Sequence, residues 1–359
     1  MKIKFLKAFN GDSIHINFKD CHGQERNILI DGGVSETYLA DKGEKGKPAF
    51  GDLYDVVEGI KSRKQKIDLL IVSHHHDDHI DGVLAWFSED PSAYRLITEV
   101  WFNSGGLIAR SLGEKDNDAL ALEFKAIAYS TKTSIPQALE FGKYIQGHAI
   151  WFYELILAGK TFERHGLIFT ILSPGKEELH ELLKDWKKKD PYTKTAAKGN
   201  DYASSLAEHI SKDVFKEDSS SANGSSIAFI LKSPKKTFVF LGDSHPSVVI
   251  DTLKKLTFSA DKPLQCELVK VSHHGSRGNT SGELLKILDC SNFIISTDGN
   301  KHEHPHKQFL SRLIKEKPSC NIFFNYEERI HGIFSAQDRK DFPGFKTIAI
   351  TTEFEYHDN

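Results

Sequence analysis

Cysteine is scarce and poorly placed for cross-linking. The 359 residues hold only Cys21, Cys266, Cys290 and Cys320, with no CxxC pair among them. That spacing excludes a disulfide framework and a zinc ribbon, and it fits reduced, mostly buried thiols. No apolar run approaches the roughly 20 residues a membrane span needs. The first residues, MKIKFLKAFNGD, lack the long apolar core of a signal peptide. A cytoplasmic protein with no membrane partner is therefore expected. Neither sign of charge dominates: 47 basic against 50 acidic residues leave a formal net charge of −3. This gives no global pull toward nucleic acid, although a local basic groove stays open. The short runs Lys187-Lys188-Lys189 and Lys235-Lys236 read first as solvated faces.

Histidine is what the chain has in excess. There are 18, and they cluster as HHHDDH at 74–79, HH at 273–274 and HEHPH at 302–306. The first two clusters directly follow strand-like segments. Residues 2–9 and 13–18 alternate apolar and polar side chains, and Asn27–Asp31 (NILID) closes on Gly32-Gly33. Residues 52–64 carry Leu53, Val56, Val57 and Ile60 at helical spacing. Ile67–Val72 (IDLLIV) is a continuous apolar run of the buried-strand kind, and the first histidine cluster begins behind Ser73.

The second half repeats this plan. Residues 226–231 and 237–241 read as a hairpin running into Gly242-Asp243, and 268–271 runs into Ser272-His273-His274-Gly275. A helix at 281–289, a strand at 293–296, a helix near 305–316 and strands near 321–325, 330–335 and 346–355 follow. Between the halves, 106–163 reads as a helical insertion and 176–222 as a mobile loop beyond a short helix near 176–188. One domain over 1–359 is expected.

The chemistry starts at Ser73-His74-His75-His76-Asp77-Asp78-His79, an HxHxDH pattern. His74 and His76, two apart after a strand, can turn both imidazoles to one point. Asp78 and His79 fall on the next turn and reach a second point nearby, while His75 and Asp77 point away. Imidazole and carboxylate suit zinc, and also manganese or iron. Two ions about 3.5–4 Å apart can share a hydroxide that attacks an ester or phosphodiester at neutral pH.

The pattern resembles the metallo-β-lactamase superfamily. Within it, NGDSIHINF with NILIDGG, VSHHHDDHIDG, NGSSIAFIL with FVFLGDS, and LVKVSHHGS with the later HPH resemble the metallo-β-lactamase-like domain of the DNA-uptake protein ComEC and its stand-alone relatives. The resemblance implies a four-layer αβ/βα sandwich and two divalent ions, zinc first and manganese second. It implies metal ligands at His74, His76, Asp78, His79 and Asp243, which bridges. One of His273 and His274 is the remaining ligand; His273, directly after the strand, is preferred, leaving His274 as a catalytic or substrate contact. Asp31 supports the metal histidines from behind, and Asp78 counts among the catalytic residues.

Ser276 and Arg277 are candidate substrate contacts, the guanidinium matching phosphate oxygens in pairs. Lys270 is open between a solvated and a phosphate-facing position. His304 and His306 flank Pro305 at a helix start, His304 as a candidate general acid and His306 as a substrate contact. One feature departs from the family: the segment Val100–Gly106 has no histidine to complete the first metal's shell, and His148 and His165 lie in helix and loop contexts.

The expected activity is attack by a metal-bound hydroxide on a phosphodiester, with DNA or RNA as the substrate class. A role in DNA processing or anti-phage defence would suit such stand-alone domains, and the helical insertion offers a surface for a protein partner. A small-molecule hydrolase of the same fold (a cyclic-nucleotide or phosphocholine phosphodiesterase, a lactonase or a thioesterase) is the alternative. A non-catalytic binding protein is the third reading.

Overall fold

The computed structural model describes residues 1–40, 49–113, 134–186 and 199–357. Contacts divide the chain into two compact units where a single domain is expected: residues 1–156 with 175–194, and residues 157–174 with 195–359. Both pair a sheet with helices, so the chain is an α/β protein. No helix among the described residues is long and apolar enough to cross a membrane.

In the first unit, strands β1 (Lys2–Phe5), β2 (Ile14–Lys19) and β3 (Glu25–Ile30) pair antiparallel in sequence order. Strands β4 (Leu69–Ile71) and β5 (Val100–Trp101) then add in parallel beside β3. β2 alternates buried and half-buried positions, whereas β4 is buried throughout, as its unbroken apolar run requires. Helix Asp52–Ser62 buries the four apolar residues expected. Helix Asp77–Glu89 begins inside the first histidine cluster. Its start places Asp77 and Asp78 in the first turn, where negative charge is favoured, and it buries Ile80, Val83, Trp86 and Phe87.

Two glycines allow this helix to approach so closely. A Cβ on Gly82 would strike the carbonyl oxygen of Gly32, and one on Gly11 would strike that of Asp78. The backbone bonds Gly32 N–H to His79 O (2.7 Å) and Asp12 N–H to Asp78 O (3.0 Å) occupy that space.

In the second unit eight strands form one sheet. In chain order they are β6 (Thr161–Arg164), β7 (Leu167–Ser173), β8 (Ala228–Lys232), β9 (Thr237–Phe240), β10 (Leu268–Lys270), β11 (Asn292–Ile295), β12 (Asn321–Phe324) and β13 (Lys346–Ala349). They lie side by side in that same order. β6 to β9 pair antiparallel and β9 to β13 pair parallel. Val239, Val269, Phe293, Ile322 and the helical residues Phe309, Leu310 and Leu313 meet in its buried core.

Several expected elements change. The end of the predicted insertion belongs to the second unit as edge strand β6, whose alternating exposure and brevity hide it in the sequence. Helices Gly105–Ser111 and Ser134–Gly147 occupy the rest of that insertion, and residues 114–133 lie outside the described residues. Phe87 stacks on Tyr144, with ring centroids 4.1 Å apart.

Of the expected loop 176–222, residues 187–198, including Lys187-Lys188-Lys189, lie outside the described residues. The remainder is not featureless. Helix Lys176–Trp186 buries Leu179, Leu182, Leu183 and Trp186, and helix Leu206–Lys212 opens on a Ser205/Glu208 capping box. Where a strand near 330–335 is expected, a 3-10 turn at 327–330 is followed by turns and no strand. The last long helix starts at Lys307, so Pro305 precedes it by two residues and is not its first position.

Candidate metal-binding and active site

Parallel strands deliver functional groups at their carboxyl ends, and both units follow this rule. In the first unit Asp31 follows β3 and His74 follows β4. In the second, Asp243 follows β9, His273 and His274 follow β10, and Ser296 follows β11. Asp31, His273 and His274 all adopt left-handed backbone conformations, with φ of 56°, 47° and 53°. Non-glycine residues in that region cost free energy and concentrate at functional sites.

Asp31 organises the first unit's donors. It is 1% exposed. One carboxylate oxygen accepts the Ser73 backbone N–H at 2.7 Å; the other accepts the Ser73 hydroxyl at 2.7 Å and His79 Nδ1–H at 2.8 Å. The Ser73 oxygen in turn accepts from His74 Nδ1 at 3.1 Å. Ser73 donates to the carboxylate, so His74 must carry its proton on Nδ1. One carboxylate thus sets the tautomer of two histidines and presents both Nε2 atoms for coordination. Burial pushes the Asp31 carboxyl above its ordinary value of 3.8, against the opposing pull of His79 and Ser73.

His74 Nε2 and His76 Nδ1 lie 3.0 Å apart, side by side as expected. Asp12, which the sequence reading passed over inside NGDS, sets a carboxylate oxygen within 4.8 Å of a His79 ring nitrogen. Asp78 accepts from the Asn10 amide at 3.1 Å. His75 does point away: it is buried against Trp186, whose indole N–H donates to its Nε2 at 3.4 Å, and burial holds it well below its ordinary value of 6.5.

In the second unit His274, and not the preferred His273, belongs to the grouping of candidate donors with Asp243. His274 is 1% exposed. Its Nδ1 donates to the Ser296 carbonyl at 2.8 Å, and its Nε2 stands 3.8 Å from Asp243 Oδ1. The donor grouping here consists of Asp243 with His274. His273 is half-buried. Its Nδ1 bonds Asn279 Oδ1 at 3.0 Å and lies 3.6 Å from Asp218.

Asp218, also missed from sequence, accepts from Asn223 Nδ2 at 2.6 Å, Asn279 Nδ2 at 3.1 Å and Ser220 N–H at 3.0 Å. Burial alone would raise its carboxyl, but His273 and these amides hold it well below the usual carboxylate range. No local motif marks Asp218; it lies 55 residues from His273 (273 minus 218), and only the fold joins them.

A cavity of about 640 Å³ opens within the second unit. His273, His302, His304, His306, Ser276 and Arg277 share its wall. His304 is buried, with ring centroids 5.1 Å from His273 and 4.8 Å from His306. Burial, reinforced by the neighbouring rings, holds it well below its ordinary value, so it is neutral. Burial lowers His306 to about 4.

Ser276 Oγ accepts the Gly278 N–H at 3.4 Å. Lys270, expected to be solvated or to face phosphate, is instead 1% exposed and donates to the Val271 carbonyl. Among possible third histidines, His148 stacks on Tyr94 at 4.0 Å in the helical layer, and His165 sits in the turn between β6 and β7. At the end of β5, Asn103 bonds both backbone groups of Ile156 and does not serve the donors. The thiols are free, with Cys290 and Cys320 buried, Cys266 partly so and Cys21 exposed.

The donor chemistry fits divalent cations. Each unit supplies a buried imidazole whose Nδ1 is held by a carboxylate (His79) or a carbonyl (His274), with a carboxylate oxygen beside it, a set suited to zinc, manganese or iron.

No family model matches the chain. Among curated proteins, ComE operon protein 3 of Bacillus subtilis is 25% identical over 142 residues, 37% of this chain. The match spans 17% of that relative's length. Among solved structures, the metallo-β-lactamase fold protein YhfI of Bacillus subtilis matches with a TM-score of 0.41 and 11% identity, covering 99% of both chains. The diiron β-hydroxylase CmlA of Streptomyces venezuelae matches with a TM-score of 0.42 and 10% identity over 99% of this chain and 54% of that one. An isothiocyanate hydrolase from Delia radicum gut bacteria gives 0.37 and 12%, covering 99% of both. By sequence, the chain is similar to ComE operon protein 3 over part of its length.

Proposed function

We propose that this chain is a metal-dependent hydrolase of phosphodiesters, with DNA or RNA as its substrate class. The observation that carries the reading is the locked tautomer of His74, His79 and His274. A histidine whose Nδ1–H is tied to a carboxylate, a carbonyl or a hydroxyl that itself donates to a carboxylate presents Nε2 for coordination. In the first unit His74, His76, His79 and Asp12 are the groups that would hold a divalent ion, and in the second unit Asp243 and His274 are. Such ions polarise a phosphoryl oxygen and lower the pKa of water.

The protein's own groups do the rest. Asp31 keeps His74 and His79 oriented through Ser73. Asn279 and Asp218 keep His273 turned toward Asp243, with Nε2 3.7 Å from Asp243 Oδ2. His304 is neutral and buried, so it contributes a ring N–H as a hydrogen-bond donor and adds no positive charge. Arg277 supplies charge for an anionic substrate.

Metal analysis of the purified protein, with hydrolysis of bis-p-nitrophenyl phosphate and of linear DNA in zinc and in manganese, tests the reading. Asp243→Ala should lower the rate at least about 100-fold, the scale of losing one preorganised electrostatic group. Its cooperative unfolding should be retained. Wild-type rates in that variant, or activity indifferent to chelator, would sink it.

A further inference from the structure

The cavity of the second unit has a one-sided hydrogen-bonding character. Three acidic side chains line it, and each is committed to its own backbone or neighbours. Asp201 accepts the N–H groups of Lys307 (2.7 Å) and Gln308 (2.9 Å), one on each oxygen. Glu217 accepts the N–H and the hydroxyl of Ser247, again one on each oxygen. Asp218 is held by Ser220, Asn223 and Asn279, as described above.

The cations are the opposite case. Lys216 and Arg277 are exposed on the lining, and among the described residues neither charged head makes a hydrogen bond or ion pair. Arg277 gives its backbone N–H to His306 Nδ1 at 3.2 Å. That nitrogen accepts, so the neutral ring carries its proton on Nε2 and is a further donor. Among the described residues the lining therefore presents two unengaged cations and an imidazole N–H, while each of its three carboxylates already accepts hydrogen bonds from the protein.

Among the described residues no Phe, Tyr or Trp lines the cavity, so they form no aromatic cage of the kind that recognises quaternary ammonium groups. Phosphate oxygens, which only accept, match such a surface. His273 also lines the cavity beside Asp243, so an anion seated here lies next to the second unit's metal donors.

We propose that the cavity seats a second phosphate of the substrate, adjacent to the one attacked, held by Arg277, Lys216 and His306 Nε2–H. The substrate is then a nucleic-acid strand with successive phosphates, and neither an isolated diester nor a choline ester. The inference rests on the phosphodiesterase reading for its chemistry, but its test does not need catalysis.

Binding of a fluorescein-labelled oligothymidylate to metal-free protein is followed by fluorescence anisotropy across a salt series. Lys216→Glu and Arg277→Glu should each weaken binding at low salt by at least about tenfold. Lys216→Ala and Arg277→Ala should each reduce the slope of log affinity against log salt by about 0.7, the value for one lost contact to a single strand. Wild-type affinity and slope in these variants overturn the proposal. Circular dichroism checks that each variant is folded. Hydrolysis of bis-p-nitrophenyl phosphate by the wild type reports separately on the parent reading, so either can fail alone.

Discussion

Replacing Asp31 by asparagine changes a single acceptor oxygen into an NH₂ group, yet it reaches two histidines. The amide can keep its oxygen on the Ser73 N–H, now 2.7 Å from the carboxylate. Its NH₂ then faces the Ser73 hydroxyl and His79 Nδ1, both of which donate in the native protein. To avoid two opposed donors, His79 must accept at Nδ1 and move its proton to Nε2. The Ser73 hydroxyl must accept from the amide and donate to His74 Nδ1, which drives that ring to the Nε2–H form as well. Both metal-facing nitrogens become protonated.

Loss of such a supporting carboxylate lowers metal affinity by about 10–100-fold, or about 1.4–2.8 kcal/mol. Stability changes less. Three charge-assisted hydrogen bonds become neutral ones, at about 1 kcal/mol each, and relief from burying a carboxylate offsets part of this. The net cost in metal-free protein should be under about 2 kcal/mol. The assays are a zinc titration against a chromophoric chelator and urea unfolding followed by circular dichroism. Zinc affinity within about threefold of wild type in a folded Asp31→Asn protein would refute the tautomer argument.

Two further outcomes follow from the second unit. Lys307 and Asp338 form an ion pair at 2.7 Å with side chains 2% and 1% exposed, so Lys307→Met should cost about 3–5 kcal/mol by stranding a buried carboxylate. The double variant Lys307→Met/Asp338→Asn, which removes the stranded charge and keeps an acceptor for Leu206 N–H, should recover part of that loss, and a urea-melt double-mutant cycle reads both. Acid should also weaken this unit. Burial alone would raise the carboxyls of Asp338 and Asp213, but Leu206 N–H and Lys307 in one case, and Arg312 and Gln308 in the other, hold them below the ordinary 3.8. A depressed carboxylate stabilises fully above its unfolded value and loses that contribution as pH falls through the folded value. The urea midpoint should therefore drop below about pH 4, and Asp338→Asn should flatten that drop; an equally steep decline in the variant would count against it.

Much of the architecture is legible because period and punctuation are local properties. The alternation in 13–18, the solid apolar run at 67–72 and the helical stripe Leu53, Val56, Val57 and Ile60 each survive in the structure at nearly the expected bounds. Elements whose character depends on neighbours are not legible. Thr161–Arg164 becomes a strand by pairing with Leu167–Ser173. The stretch 199–222 reads as loop because its anchors are single polar residues. Asp201 caps the helix at Lys307, and Asp213 grips Arg312 at 2.7 Å, over 90 positions away in each case (307 minus 201, 312 minus 213).

For the site, sequence by itself determined which residue types could carry the chemistry. HxHxDH behind one buried strand, GD and SHHG behind two others, and an aspartate closing an earlier strand are all visible in order along the chain. Only tertiary structure decided how those residues divide the work. Adjacent His273 and His274 are indistinguishable as letters, but their backbone conformations aim one ring at the Ser296 carbonyl and the other at Asn279 and Asp218. Asp12 reaches His79 because Gly11 lets its loop lie against the helix start. The physical reason is common to all three. Strand ends and residue identity are set by local pattern, whereas a tautomer, a donor pair or a positioning carboxylate depends on hydrogen bonds that only the folded chain can close.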